Sequence, residues 1–231
     1  MAPLPSIDSP TRGIVAVLLV TIVAACGTTS PAAVQTVAPP VASVPANPAG
    51  VAQARADSAR YPYTAADIHF MAGMIGHHAQ AIVMARWAPS HGAGPSVRTL
   101  AQRIINAQQD EIGLMQHWLA DRFQPVPEAT PAGLKMKMDG VEHVMLMPGM
   151  LTEAQMKQLD QARGAEFDRL FLTFMIQHHR GAVAMVETLF GSYGAGQDLV
   201  VFKFASDVNI DQTTEIARME KMLVNLIISP Q

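Results

Sequence analysis

Two stretches of this chain, "MIGHHAQAIVMA" at residues 74–85 and "MIQHHRGAVAMV" at residues 175–186, each set a histidine pair between two methionines on an apolar background. On a helix advancing about 100° per residue, Met74, His77, His78 and Met84 lie on one continuous arc with the small Ala81 between them. Met175, His178, His179 and Met185 form the equivalent arc. Thioether and imidazole are soft and borderline donors that favour Cu(I), or Ag(I), over oxygen-seeking ions. Zinc rarely uses methionine, and calcium or magnesium would need clustered oxygens, for which Asp67, Asp168, Glu111 and Glu215 are the candidates. A di-iron centre would need Glu-x-x-His on two helices, and that motif is missing. The eight residues are therefore expected to bind metal, most readily copper as Cu(I).

A methionine stripe at helical spacing also packs cores, so the competing expectation is a structural or partner-binding helical protein whose histidines only order its interior. Four buried imidazoles, however, call for hydrogen-bond partners or metal. Asp67 and Asp168 are expected to favour helix starts or to orient a ligating imidazole. Gln108, Glu111, Gln212 and Glu215 sit beside apolar stripes, as partners of the histidines or as edge residues. Between the halves, "KMKMDGVEHVMLMPGM" holds Met136, Met138, His143, Met145, Met147 and Met150, either a mobile Cu(I)-capturing segment or a loop that buries its methionines over the bundle. His91 and His117 read as surface residues, and His69 points away from the expected core. With an ordinary imidazole pKa of about 6.5, Cu(I) held by histidine is expected to weaken between about pH 7 and pH 5, while methionine-only binding persists.

These residues need helices to position them. Thr64 and Asp67 form a capping-box pattern before a helix that runs to about Pro89. A second helix is expected over residues 96–122, a third from 152 with a pause near Gly164 and continuation over 166–190, and a fourth over 198–227. No stretch carries convincing period-two alternation, so no strand is assigned. Aligning residues 67–86 with 168–187 gives eight identities in twenty, including both histidine pairs. The expected fold is all-α, an antiparallel four-helix bundle built from two duplicated helical hairpins over residues 61–231.

The amino-terminal part reads differently. Arg12 precedes the apolar run "GIVAVLLVTIVAA", which suits a secretory signal over residues 1–25. The single cysteine, Cys26, follows it directly, as in a bacterial lipobox, and is expected to carry a lipid anchor. Residues 26–60, rich in proline and alanine, read as a disordered tether. The protein is thus expected to be exported and held at the outer face of the cell membrane. A formal charge of −3 with no long run of either sign points away from nucleic acid. Nucleophile elbow, phosphate-binding glycine loop and acid/base dyad are all missing, so no enzyme is expected.

The ordered elements "FMAGMIGHHAQAIVMA", "MPGMLTEAQM" and "FDRLFLTFMIQHHRGAVAMV" resemble the bacterial family known as domain of unknown function 305, over about residues 61–228. The resemblance implies a ferritin-like four-helix bundle exported to the cell envelope, with copper association in some members and no established enzyme activity. Sequestration, buffering or delivery of copper would follow, and delivery would require a copper-handling protein partner. His69 and Gly76 have no counterparts in the second copy, so the two halves need not bind equally.

Overall fold

The computed structural model describes residues 62–138 and 141–228. The signal segment, Cys26 and the tether lie outside the described residues. Helix α1, Ala65–Trp87, starts at the expected capping box: Thr64 Oγ1 accepts from the Asp67 amide, and the Asp67 carboxylate accepts from the Thr64 amide at 2.6 Å. Helix α2, Pro95–Asp121, begins with proline at its first turn, where no amide hydrogen is needed. Helix α3, Glu153–Gln161, is opened by a second capping box of Thr152 and Gln155. Helices α4, Gly164–Gly191, and α5, Leu199–Ile228, form the second long hairpin. Among the described residues, no helix is long and apolar enough to cross a membrane.

The expectation of no strands is corrected. Residues Leu134–Met138 form β1 and Val141–Met145 form β2, an antiparallel pair in which Met136 lies opposite His143 and Leu134 opposite Met145. Leu134, Met136 and Met138 alternate with Lys135 and Lys137, and Asp139-Gly140 between the strands is a favoured hairpin-turn pair. The high methionine density masked that period-two signal, because methionine is a weak strand marker.

Helices α1 and α2 pack as one hairpin, α4 and α5 as the other, and α1 crosses α4. The helix halves they bring together reveal the antiparallel arrangement. One apolar cluster joins Phe70, Met71, Met74 and Ile75 of α1 to Met115 and Leu119 of α2, Ala182 and Met185 of α4, and Val201 and Phe204 of α5. The second joins Ala81, Met84 and Ala85 to Leu100 and Ile104, Phe171 and Met175, and Met219. Each fully buried apolar side chain contributes about 1.5–3 kcal/mol. In sequence, the paired histidines of α1 and α4 fall between the residues each helix gives to one cluster and to the other, so the apolar interior is interrupted by a polar belt.

Asp67 and Asp168 tie the hairpins together. Asp67 Oδ1 accepts from the Gly196 amide at 2.7 Å in the α4–α5 turn, and Asp168 accepts from the Gly94 amide at 3.0 Å in the α1–α2 turn. Both turns carry the same Ser-x-Gly-Ala-Gly sequence, at residues 90–94 and 192–196. Neither aspartate hydrogen-bonds an imidazole; Asp67 starts α1 and braces the opposite turn, whereas Asp168 lies within α4 and only braces.

Candidate metal centre

All four belt histidines are completely buried. The rings of His77 and His178 meet at the α1–α4 crossing, with centroids 3.8 Å apart. Their outer neighbours are held identically in each repeat: His78 Nε2 lies 2.6 Å from Glu111 Oε2 on α2, and His179 Nε2 lies 2.8 Å from Glu215 Oε2 on α5. His77 Nε2 is 3.0 Å from the Pro148 carbonyl oxygen. A carbonyl can only accept, so His77 must donate from Nε2 and carry its lone pair on Nδ1. A carboxylate oxygen accepts in the same way, so the Glu111 and Glu215 contacts call for the same donating Nε2 on His78 and His179. The Nδ1 atoms of all three rings, and both nitrogens of His178, are buried with no hydrogen-bond partner. Buried polar nitrogens are rarely left this way, and imidazoles oriented by a carboxylate or carbonyl on the opposite nitrogen are the usual form of a histidine metal ligand.

Electrostatics keeps the central rings neutral. Burial, reinforced by the neighbouring His78 and His179, lowers the His77 pKa from 6.5 to about 3 against the favourable Pro148 contact. Burial and then His77, His179 and His78 hold His178 well below its ordinary value. The His77 carbonyl favours the charged His178 ring slightly, yet makes no hydrogen bond to it.

A depressed pKa makes the metal-free protein acid-labile. Above about pH 6.5 both states bind no proton at these rings; below it the unfolded chain takes up protons that folded His77 refuses until about pH 3. Stability should therefore be full above pH 6.5 and fall as the pH drops towards 3. Denaturant midpoints at pH 7, 5.5 and 4 check this, with His178→Leu expected to show a flatter profile. A wild-type midpoint that does not move with pH would contradict it.

The methionines divide between the two apolar clusters. Met74 and Met185 lie in the first, Met84 and Met175 in the second, all buried. Across the α1–α4 crossing, the methionine that precedes the histidine pair in one repeat thus shares a cluster with the methionine that follows it in the other. The first cluster also gathers Met71, Met115, Met147 and Met150. Met147 and Met150 are therefore core methionines that cover the bundle, whereas Met145 is exposed. Among the described residues, no three His, Cys, Asp or Glu side chains converge on a ready site.

The segment over the belt is pinned by residues at which the repeats differ. Gln80 clasps residue 151 in both directions, donating to the Leu151 carbonyl and accepting from its amide at 2.6 Å. On α4 the matching position is Gly181, where the backbone of Pro148 and Gly149 approaches too closely for a Cβ. Conversely, Gly76 faces the Gly133 carbonyl, and the different residue aligned with it, Gln177, donates to the Gly149 carbonyl. One connection crosses a two-fold bundle once, so it must meet different residues on α1 and α4.

His69 and His117 are exposed as expected. His91 is corrected: it is buried, its Nε2 is 2.9 Å from the Asp160 carbonyl oxygen, and its ring packs on Trp87 and Phe167. The surface expectation failed because α3 folds back over the α1–α2 turn. Glu111 and Glu215 prove to be histidine partners, whereas Pro148 carries no sequence signal for its role.

The family described as a domain of unknown function, DUF305, matches residues 67–223. A crystal structure of a DUF305 protein from Streptomyces coelicolor, thought to be secreted, is 31% identical with a TM-score of 0.57, covering 69% of this chain and 93% of that one. A DUF305 fragment from Deinococcus radiodurans is 28% identical with a TM-score of 0.59, covering 71% and 99%. CopM in its Cu(I)-bound form is 28% identical with a TM-score of 0.52, covering 69% and 96%, and CopM structures with Cu(II) and with silver are also similar. An uncharacterized protein of Acanthamoeba polyphaga mimivirus is 39% identical over 56 residues, which span 37% of its length.

Proposed function

The chain belongs to the DUF305 family, and we propose that it binds copper as Cu(I) through the histidine belt and its flanking methionines. The observation that carries this reading is the set of unpartnered imidazole nitrogens, three of them with the lone pair on Nδ1 forced by the partner at Nε2. His77, His78, His178 and His179 would supply nitrogen, and Met74, Met84, Met175 and Met185 sulfur. Bound copper would relieve the cost of those buried, unpaired acceptors, about 1–3 kcal/mol for each one ligated. CopM, similar over most of the folded part, has been crystallised with Cu(I), Cu(II) and silver, which supports a soft-metal role. No catalytic step is proposed; sequestration, buffering or delivery fits a buried site.

Untagged protein, reduced and titrated anaerobically with Cu(I) against a chromogenic chelator, should retain copper stoichiometrically. Failure to compete even with a weak chelator would leave the alternative, a helical protein with an ordered His/Met core. The expected acid release between pH 7 and pH 5 need not involve His77, whose pKa, lowered to about 3 chiefly by burial, leaves it neutral in the folded protein at pH 5. Retention of copper at pH 5 is therefore compatible with ligation by His77.

The same reading places the protein outside the cytoplasm on a lipid anchor at Cys26, supported by the apolar run before it and by the Streptomyces relative thought to be secreted. Cys26→Ser should move the protein out of the membrane fraction without changing its copper content. Unchanged membrane association of the processed variant would refute the anchor.

A further inference from the structure

On the far side of the histidine partners, α2 and α5 enclose a cavity of about 200 Å³ lined by Gln108, Glu111, Asp211, Gln212, Thr214 and Glu215, with exposed Arg103 at its edge. The arrangement is two-fold: Gln108 and Glu111 are three apart on α2, as are Gln212 and Glu215 on α5, so each pair shares a helix face. Gln108 and Gln212 are 3% and 4% exposed, and Oε1 of each is buried without a hydrogen-bond partner. Two unsatisfied amide acceptors at equivalent positions are a costly way to fill a core, and a cation in the cavity would satisfy both. Glu111 and Glu215 use Oε2 on His78 and His179, and their other oxygens have no protein partner among the hydrogen bonds described. Negative charge collects here: burial and then Glu111, Asp207 and Glu215 raise the Asp211 pKa, with Lys203 opposing.

We propose that this cavity binds a hard divalent cation of the Ca²⁺ or Mn²⁺ class, separate from the His/Met belt, with Gln108 Oε1 and Gln212 Oε1 as its central oxygen donors, joined by no more than two of the carboxylates of Glu111, Glu215 and Asp211, the remaining charge acting from the cavity wall. Carboxylate and amide oxygens suit such ions and not Cu(I). Few charged donors on a partly open site place the affinity in the range of about 10⁻⁴–10⁻³ M, that of extracellular calcium modules. No three carboxylates or imidazoles converge by themselves, so the two amide carbonyls decide whether the site forms.

The test uses copper-free, chelator-washed full-length protein, so that its result is independent of copper binding. Titration with MnCl₂, followed by the loss of the free-Mn²⁺ electron paramagnetic resonance signal, should show about one bound ion, displaced by excess CaCl₂. The Gln108→Leu/Gln212→Leu variant should weaken Mn²⁺ binding at least tenfold and fold normally in the absence of metal, since it removes two unsatisfied acceptors. Asp211→Asn, at an exposed position, provides a second variant that should weaken binding without disturbing the fold. Absence of Mn²⁺ uptake at 10 mM (about tenfold above the expected range), or wild-type affinity in both variants, would overturn the proposal.

Discussion

Replacing His77 and His78 together by alanine, or His178 and His179 together, is expected to lower Cu(I) affinity about a hundredfold or more. Loss of a group that merely orients a ligand costs about 10–100-fold, and each double variant removes two of the proposed ligands outright. Both variants should fall together, because His77 and His178 meet ring to ring from opposite repeats and neither hairpin owns the site. Truncation leaves a void but also removes unpartnered nitrogens, so helix content should persist and can be followed by circular dichroism. Competition with a Cu(I) chelator gives the affinity. Wild-type affinity in both variants would sink the belt as a copper site and return attention to residues 136–150.

The second large effect is expected from a single methyl group. In Gly181→Ala the new Cβ would meet the Pro148 carbonyl and lie 2.5 Å from Gly149 Cα, backbone atoms that cannot swing aside as a side-chain tip can. Forcing them apart should cost about 3 kcal/mol and lift the connection off α4, taking with it the carbonyl that orients His77. Gly113→Ala supplies the contrast. It lies within α2 with nothing within 4 Å of its Cβ, so it should stabilise the protein by about 0.5–1 kcal/mol. Denaturant midpoints of the two variants decide the matter, and a Gly181→Ala midpoint at or above wild type would show that the connection is not seated as described.

Much of this architecture was legible in residue order. The duplicated histidine pairs, the capping box at Thr64 and Asp67, the pause before Gly164 and the apolar stripes are local patterns, and a helix of 23–30 residues declares itself through its own period. The four histidine and methionine residues of each repeat share one arc because helical geometry alone puts them there. Local patterning also shows which side chains turn inward, and all eight are buried.

What chain order could not decide is which inward-facing groups meet across the core. Met74 shares a cluster with Met185 and Met84 with Met175 because α1 and α4 run antiparallel, a fact of packing between segments a hundred residues apart. The same crossing brings His77 to His178. The pairing of His78 with Glu111 and His179 with Glu215, the cover of Pro148 over His77, and the burial of His91 beneath α3 depend on where a loop or second helix lands. The Met-rich hairpin escaped notice because flexible methionines carry little strand preference, and its alternation needed a partner strand to gain meaning. Sequence alone determined the donor types and the helices that carry them. Tertiary structure decided which nitrogen of His77, His78 and His179 keeps its lone pair, because that depends on an acceptor supplied from elsewhere in the chain.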